Sequence, residues 1–182
     1  MKYQKPTKEE LEQAIHKTVP DIIAPYLNVL FCGINPGLYT AAIGHHFGKP
    51  GNRFWRALYE GGFTERQYDP REDTELLKLG YGLTNLVPRA TRAAQELTHE
   101  EVLQGATNLT KKILKYKPRW VAFVGIQAYR TGFSKPDAQV GKQPDSIGDS
   151  GVWILPNPSG LNAHFRPTDF ARLFAALRRE LD

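Results

Sequence analysis

The sequence predicts an α/β fold: a three-layer α/β/α sandwich around a short, mostly parallel central sheet. Four short runs read as strands: Asn28–Cys32 (NVLFC), Gly82–Val87 (GLTNLV), Arg119–Gly125 (RWVAFVG) and Gly151–Leu155 (GVWIL). They are apolar through rather than alternating, as in a parallel sheet covered on both faces. Helical stretches separate them, the order expected of a layered α/β domain.

Taken in order, Thr7–Val19 is predicted as a helix, with Thr7 as N-cap and Glu10 closing a capping box. Gly33–Gly37 (GINPG) is a sharp turn after the first strand. Asn52–Glu60 (NRFWRALYE) is predicted helical, with Phe54, Trp55 and Leu58 inward and Gly61–Gly62 as the stop. Arg71–Leu79 reads as a short amphipathic helix before Gly80. Thr98–Tyr116 reads as a long helix with Thr98 and Glu101 as its capping box and Pro118 beyond its end. A short helix, Gln127–Gly132, follows the third strand. Thr168–Leu181 closes the chain, with Thr168 as cap and Phe170, Leu173, Phe174 and Leu177 on one stripe. No repeat or dividing linker is visible, so one domain is expected over 1–182, with 1–27 as an N-terminal helical extension.

The 182 residues are enough for a self-sufficient core, and 41% hydrophobic with 24% charged residues excludes a disordered chain. A single cysteine, Cys32, excludes an internal disulfide, a Cys-rich zinc site and a four-cysteine cluster. It points to a reducing compartment, and Cys32 itself reads as a buried small residue. No apolar run approaches the roughly 20 residues that span a bilayer, and the N-terminus lacks signal-peptide shape. A cytoplasmic, nucleoid-associated location is expected.

The net charge is +5, and no Asp or Glu occurs between Ile22 and Tyr59, Val102 and Pro136, or Ser150 and Thr168. These windows either form one face tolerant of phosphates or hold buried strands and tight loops. Lys111, Lys112, Lys115, Lys117 and Arg119 suit a helix C-terminus or a phosphate contact. Trp55, Trp120 and Trp153 read as core. His16, His45 and His46 lack metal-ligand spacing, and Ser159 lacks a triad. No metal or cofactor is expected.

In open α/β sheets, ligands bind in loops beyond the carboxyl ends of the strands. Two loops fall there: GINPG, and Pro156–Ala163 (PNPSGLNA). GINPG is not a P-loop, since Gly-x4-Gly-Lys is absent. Its one polar side chain, Asn35, is an amide that takes no proton at neutral pH but both donates and accepts hydrogen bonds. It can hold a water in line for attack; it can also be a plain Asn-Pro turn. In the second loop Leu161 stands beside Gly160 without an apolar pattern. It reads as a wedge of the kind that opens a base step, or as a buried turn leucine.

GINPG, then HHFGKPGNRFW (His45–Trp55), then LPNPSGL (Leu155–Leu161), together resemble the mismatch-specific uracil-DNA glycosylase and thymine-DNA glycosylase family, in order and spacing. The resemblance runs from about Val29 to the C-terminus. It implies the uracil-glycosylase α/β sandwich and a monofunctional enzyme that flips a base, hydrolyses its N-glycosidic bond and leaves an abasic site. Asn35 then matches the water-positioning asparagine. Ile34 and Phe47 match pocket residues, with Phe47 stacking on the base and backbone N–H groups meeting its oxygens. Thr40 falls where the family places a small residue near the pyrimidine edge. His46 matches a histidine of the thymine-processing branch. Asn157, Ser159, Gly160 and Leu161 match the loop that pinches the backbone and fills the emptied stack. The bacterial branch carries an arginine two residues after the wedge; here that residue is Ala163, with Arg166 three further on. Substrate choice broader than mismatches is therefore expected.

Asn85, at the exit of the second strand, faces the predicted pocket or caps the strand end. Asp69 and Asp73 read as solvated loop and helix-start residues. With no acid at the water site, slow chemistry is expected, its selectivity set by how easily a base leaves the stack. The partner is double-stranded DNA with uracil mismatches, with single-stranded DNA as a second substrate, acted on by a monomer. The alternative is a catalytically weak mismatch- or lesion-binding protein of the same fold.

Overall fold

A computed structural model describes residues 5–182. Five strands form one sheet in the order β2-β1-β3-β5-β4: β1 (Val29–Gly33), β2 (Tyr81–Asn85), β3 (Trp120–Val124), β4 (Gly141–Ile147) and β5 (Ser150–Leu155). The first three and β5 pair in parallel; β4 pairs with β5 antiparallel. Among the described residues, six α-helices accompany them: α1 (Lys8–Gln13), α2 (Leu38–Ile43), α3 (Phe54–Glu60), α4 (His99–Tyr116), α5 (Ile126–Gly132) and α6 (Pro167–Arg179). The expected α/β fold with a mostly parallel sheet is the fold observed.

Both sheet faces are covered, which is why the four parallel strands lack alternation. On one face Phe31, Leu83, Ala122 and Leu155 pack under α3 and α6. Phe31 meets Phe54, Phe63 and Phe174 at ring-centroid distances of 5.5, 5.4 and 6.1 Å, the first two edge-on. The opposite face buries Cys32, Val121, Phe123 and Ile154 under α4 and α5. Burial pushes the Cys32 thiol pKa well up, so Cys32 serves as a small apolar residue. All three tryptophans are buried.

Four details depart from expectation. β4 was not expected, because its residues are mostly exposed and include Lys142, Pro144 and Asp145. These residues, and a bulge between Lys142 and Ser146, blunt a free sheet edge instead of building core. The first helix stops at Gln13 rather than Val19: His16 turns to φ 68°, and Val19 folds in beside Ala14, Ala41 and Ala90. Arg71–Leu79 is part of a 3-10 segment, Pro70–Leu79, capped by Asp69. The last helix begins at Pro167, with Asp169 accepting from the Arg166 N–H at 2.9 Å, so Thr168 lies inside it. Two other caps match: Thr7–Glu10 and Thr98–Glu101 form capping boxes.

Because four strands run the same way, their carboxyl ends gather the turn after β1, the segment after β2 and the loop after β5. The run Lys115–Arg119 precedes β3, at the opposite end of the sheet, so it cannot serve that gathering. Lys112, earlier in the same basic run, is committed to Asp21 and to Thr84 Oγ1 of β2, and Arg119 donates to the Glu180 and Leu181 carbonyls.

Candidate active site

The three loops enclose a cleft of about 410 Å³, within the range of small-molecule sites. Its wall includes Gly33, Ile34, Asn35, Phe47, Asn52, Asn157, Ser159 and Leu161. Lys49 and Arg92 also line it, and no Asp or Glu does. The wall draws on all three acid-free windows, which suits a polyanion.

The turn after β1 is stitched to the segment after β2. Leu86, Val87 and Thr91 donate backbone N–H groups to Gly33, Ile34 and Pro36 at 2.8, 2.9 and 3.1 Å. Asn35 Nδ2 donates to the Arg89 carbonyl at 3.0 Å and to Thr91 Oγ1 at 2.8 Å. A carbonyl only accepts, so the contact with Arg89 identifies the nitrogen side of the amide. Asn35 Oδ1 therefore faces away, with no hydrogen bond among the described residues. Arg89 is itself fixed by a two-pronged pair with Glu101, at 2.7 and 3.0 Å. That guanidinium, helped by the Thr98 N–H, pulls the Glu101 carboxyl down to about 2.

Phe47 has φ 52°, a left-handed conformation that costs a non-glycine residue about 1–2 kcal/mol. Its neighbours hold it there. One ring face stacks on buried Phe54, centroids 4.0 Å apart. Trp55 Nε1 donates to the His46 carbonyl at 3.1 Å. Asp73 Oδ2 accepts from the His46 N–H at 3.3 Å and lies 3.1 Å from His45 Nδ1. Asp73 is only 2% exposed, so it is not the solvated residue expected from the sequence. A buried carboxylate so placed is an anchor for the His45–Phe47 turn.

Asn85 stands beside Gly33 in the β1–β2 register. A Cβ on Gly33 would come within 2.7 Å of Asn85 Oδ1 and 3.4 Å of the Phe47 ring. Glycine at 33 thus leaves room for the amide and the ring over one strand end, with Asn85 itself lining a neighbouring hollow beside Asp21 and Lys112 rather than the cleft wall. Asn85 makes no side-chain hydrogen bond among the described residues, so it is not a strand-end cap.

Thr40 and His46 do not join this group. Thr40 is buried in α2, and His46, 1% exposed, turns its Nε2 to the Pro20 carbonyl at 2.9 Å. Burial lowers the His46 pKa, and the carbonyl partner assigns the proton of its neutral ring to Nε2.

The loop after β5 is braced internally. Asn157 Oδ1 accepts from the Ser159 N–H at 2.9 Å, and Ser159 Oγ from the Leu161 N–H at 3.3 Å. A Cβ on Gly160 would lie 3.0 Å from the Gly51 carbonyl. At the crest Leu161 is 87% exposed, which excludes a buried turn leucine.

A family model for the uracil DNA glycosylase superfamily matches residues 20–178. The chain belongs to that superfamily. Its fold is similar to the solution structure of a candidate uracil DNA glycosylase from Methanosarcina acetivorans. The two are 19% identical, with a TM-score of 0.62 over 90% of this chain and 99% of that one. As a DNA glycosylase, the protein carries its acid-free cleft where the fold gathers its loops. Among the described residues of the glycosylase, no helix is long and apolar enough to cross a membrane. The sequence reading missed Thr91 and Arg89 and took Asp73 for a solvated residue; each reaches its partner only through the fold.

Proposed function

We propose that this glycosylase is of the mismatch-specific uracil type, flipping uracil, especially opposite guanine, out of DNA and releasing it as free base. The observation that carries the reading is the fixed Asn35 amide: its nitrogen is fully engaged, and its oxygen is the acceptor left for a water.

In this mechanism Asn35 Oδ1 accepts one O–H of a water, turning a water lone pair toward C1′ of the flipped nucleotide. The C1′–N1 bond breaks, and its electron pair leaves on the uracil. The water oxygen bonds to the cationic C1′. Asn35 cannot take the water's proton, which ends on the departing base or in solvent. Phe47, backed by Phe54, stacks on the base. Asn85, with donor and acceptor both unengaged, meets the pyrimidine edge, and backbone N–H groups near Ile34 face the developing anion. Preorganised donors at such positions contribute about 3–4 kcal/mol each. Leu161 fills the gap left in the duplex. Ala163 supplies no guanidinium for the widowed guanine, so discrimination follows the ease of extrusion. Thr40 and His46, behind the cleft wall, act at most through the turn that carries Phe47. The protein acts as a monomer of one domain and needs no cofactor.

The test is alkali-revealed strand cleavage with uracil in a single strand, opposite adenine and opposite guanine. Cleavage in the order G·U above A·U is expected. Asn35→Ala should lower the single-turnover rate by about 10²- to 10³-fold while leaving duplex affinity nearly unchanged. Tight lesion binding without base release by the wild-type protein would instead identify a binding protein of the same fold.

A further inference from the structure

Arg53, the N-cap of α3, is tied to the loop after β5 by four hydrogen bonds. Its backbone N–H donates to the Pro158 carbonyl at 2.9 Å. Nη2 donates to the Ser159 and Asn162 carbonyls at 2.7 and 2.8 Å, and Nη1 to the Phe165 carbonyl at 2.8 Å. The guanidinium carbon also sits 4.4 Å above the Phe170 ring. No carboxylate pairs with Arg53 among the described residues. One side chain therefore gathers carbonyls on both flanks of Leu161.

Leu161 cannot hold its own position, because an 87% exposed leucine gains nothing from burial. The loop's own hydrogen bonds, including Asn162 Nδ2 to the Asn157 carbonyl at 2.9 Å, close the turn, and an outside anchor must seat that turn against α3 with its apolar side chain facing water. A planar fork of five fixed donors can span three separate carbonyls; a lysine ammonium, a point donor on a flexible stem, cannot. The next residue, Phe54, backs the Phe47 ring. A single helix start thus sets the spacing between the base platform and the crest of the loop.

We propose that Arg53 is a positioning residue that pre-forms the insertion loop, so that Leu161 is already aimed when DNA arrives and its ordering is not charged against flipping. This deepens the glycosylase reading and rests on it.

The experiment compares wild type, Arg53→Met, Arg53→Lys, Leu161→Ala and the double variant Arg53→Met with Leu161→Ala. Three readouts are taken: amide exchange over residues 159–165 in the free protein, single-turnover uracil release from single-stranded and G·U DNA, and fluorescence of a 2-aminopurine placed beside an uncleavable 2′-fluoro-deoxyuridine opposite guanine. Arg53→Met should speed loop exchange and slow duplex release by about tenfold or more, with single-strand release within about threefold. Arg53→Lys should fall between it and wild type, and carries the same comparisons if Arg53→Met does not fold. Removing Leu161 as well should cost the duplex reaction nothing further, because both changes disable one device. Equal losses on single strand and duplex, additive losses, or faster loop exchange at an unchanged duplex rate would each overturn the proposal. If wild type releases no uracil from any substrate, the glycosylase reading fails by itself. Loop exchange and the 2-aminopurine signal then still decide whether Arg53 aims the loop: Arg53→Met should lower that signal to the level of Leu161→Ala, and a signal equal to wild type overturns the proposal.

Discussion

Thr91 Oγ1 accepts a hydrogen bond from Asn35 Nδ2 at 2.8 Å while donating its own proton to the Ala93 carbonyl at 2.8 Å. The hydroxyl's one proton is thereby committed, and its oxygen can only accept from Asn35. The amide cannot flip without setting its oxygen against the Arg89 carbonyl.

Thr91→Val, which keeps the volume and loses the hydroxyl, should therefore slow base release by about tenfold, the rate equivalent of one hydrogen bond. Thr91→Ser should restore most of it. Single-turnover rates on G·U duplex at saturating enzyme check this; equal rates for the valine and serine variants would show that the hydroxyl is not the orienting group.

Leu161→Ala should weaken release from duplex and spare single strands, since only a duplex refills the gap a flipped base leaves. The loss should be larger for A·U than for G·U, because the wobble pair opens more easily. A thermal melt matching wild type should accompany it, as the exposed side chain contributes no packing. A parallel loss on both kinds of DNA would contradict the assignment.

The Glu101 carboxyl, held at about 2 against an ordinary 4.5, makes stability depend on acid. A depressed folded-state pKa adds stability that is complete above about 4.5 and lost as pH falls toward 2. Glu101→Gln should thus lower the melting temperature at pH 7 and close the gap to wild type as pH drops through that window. Melting curves of the two proteins between pH 7 and pH 2 check it; a gap that stays constant would show that the Arg89 pair is not coupled to folding.

Parts of this site could be read before folding because they lie in contiguous loops. Asn35 and Leu161 each stand in a short motif whose turn residues advertise the turn, and the buried strands on either side place both loops at one end of the sheet. Thr91 and Asp73 carry no such local sign. Thr91 meets Asn35 across 56 residues and Asp73 meets His45 across 28, so both contacts depend on chain placement that hydrophobic period does not encode. β4 escaped for the opposite reason: an exposed edge strand has no apolar run to show. Thr40 and His46 entered through their neighbourhood to residues of the cleft wall, but Thr40 is buried in α2 and the carbonyl of Pro20 turns His46 inward.

The stretch from Pro20 to Ile22 has a consequence for the mouth of the cleft. Ile22 and Leu83 exchange backbone hydrogen bonds at 2.9 and 2.8 Å, closing the free side of β2, the strand that ends in Asn85. Two residues earlier, the Pro20 carbonyl receives the His46 ring, one position before Phe47. Three residues of chain therefore lash together the strand bearing the amide and the turn bearing the ring. Like a cord drawn across a purse, they set how far apart the two jaws can stand. On the proposed reading, damage to this cord would loosen the hold of Phe47 and Asn85 on the base.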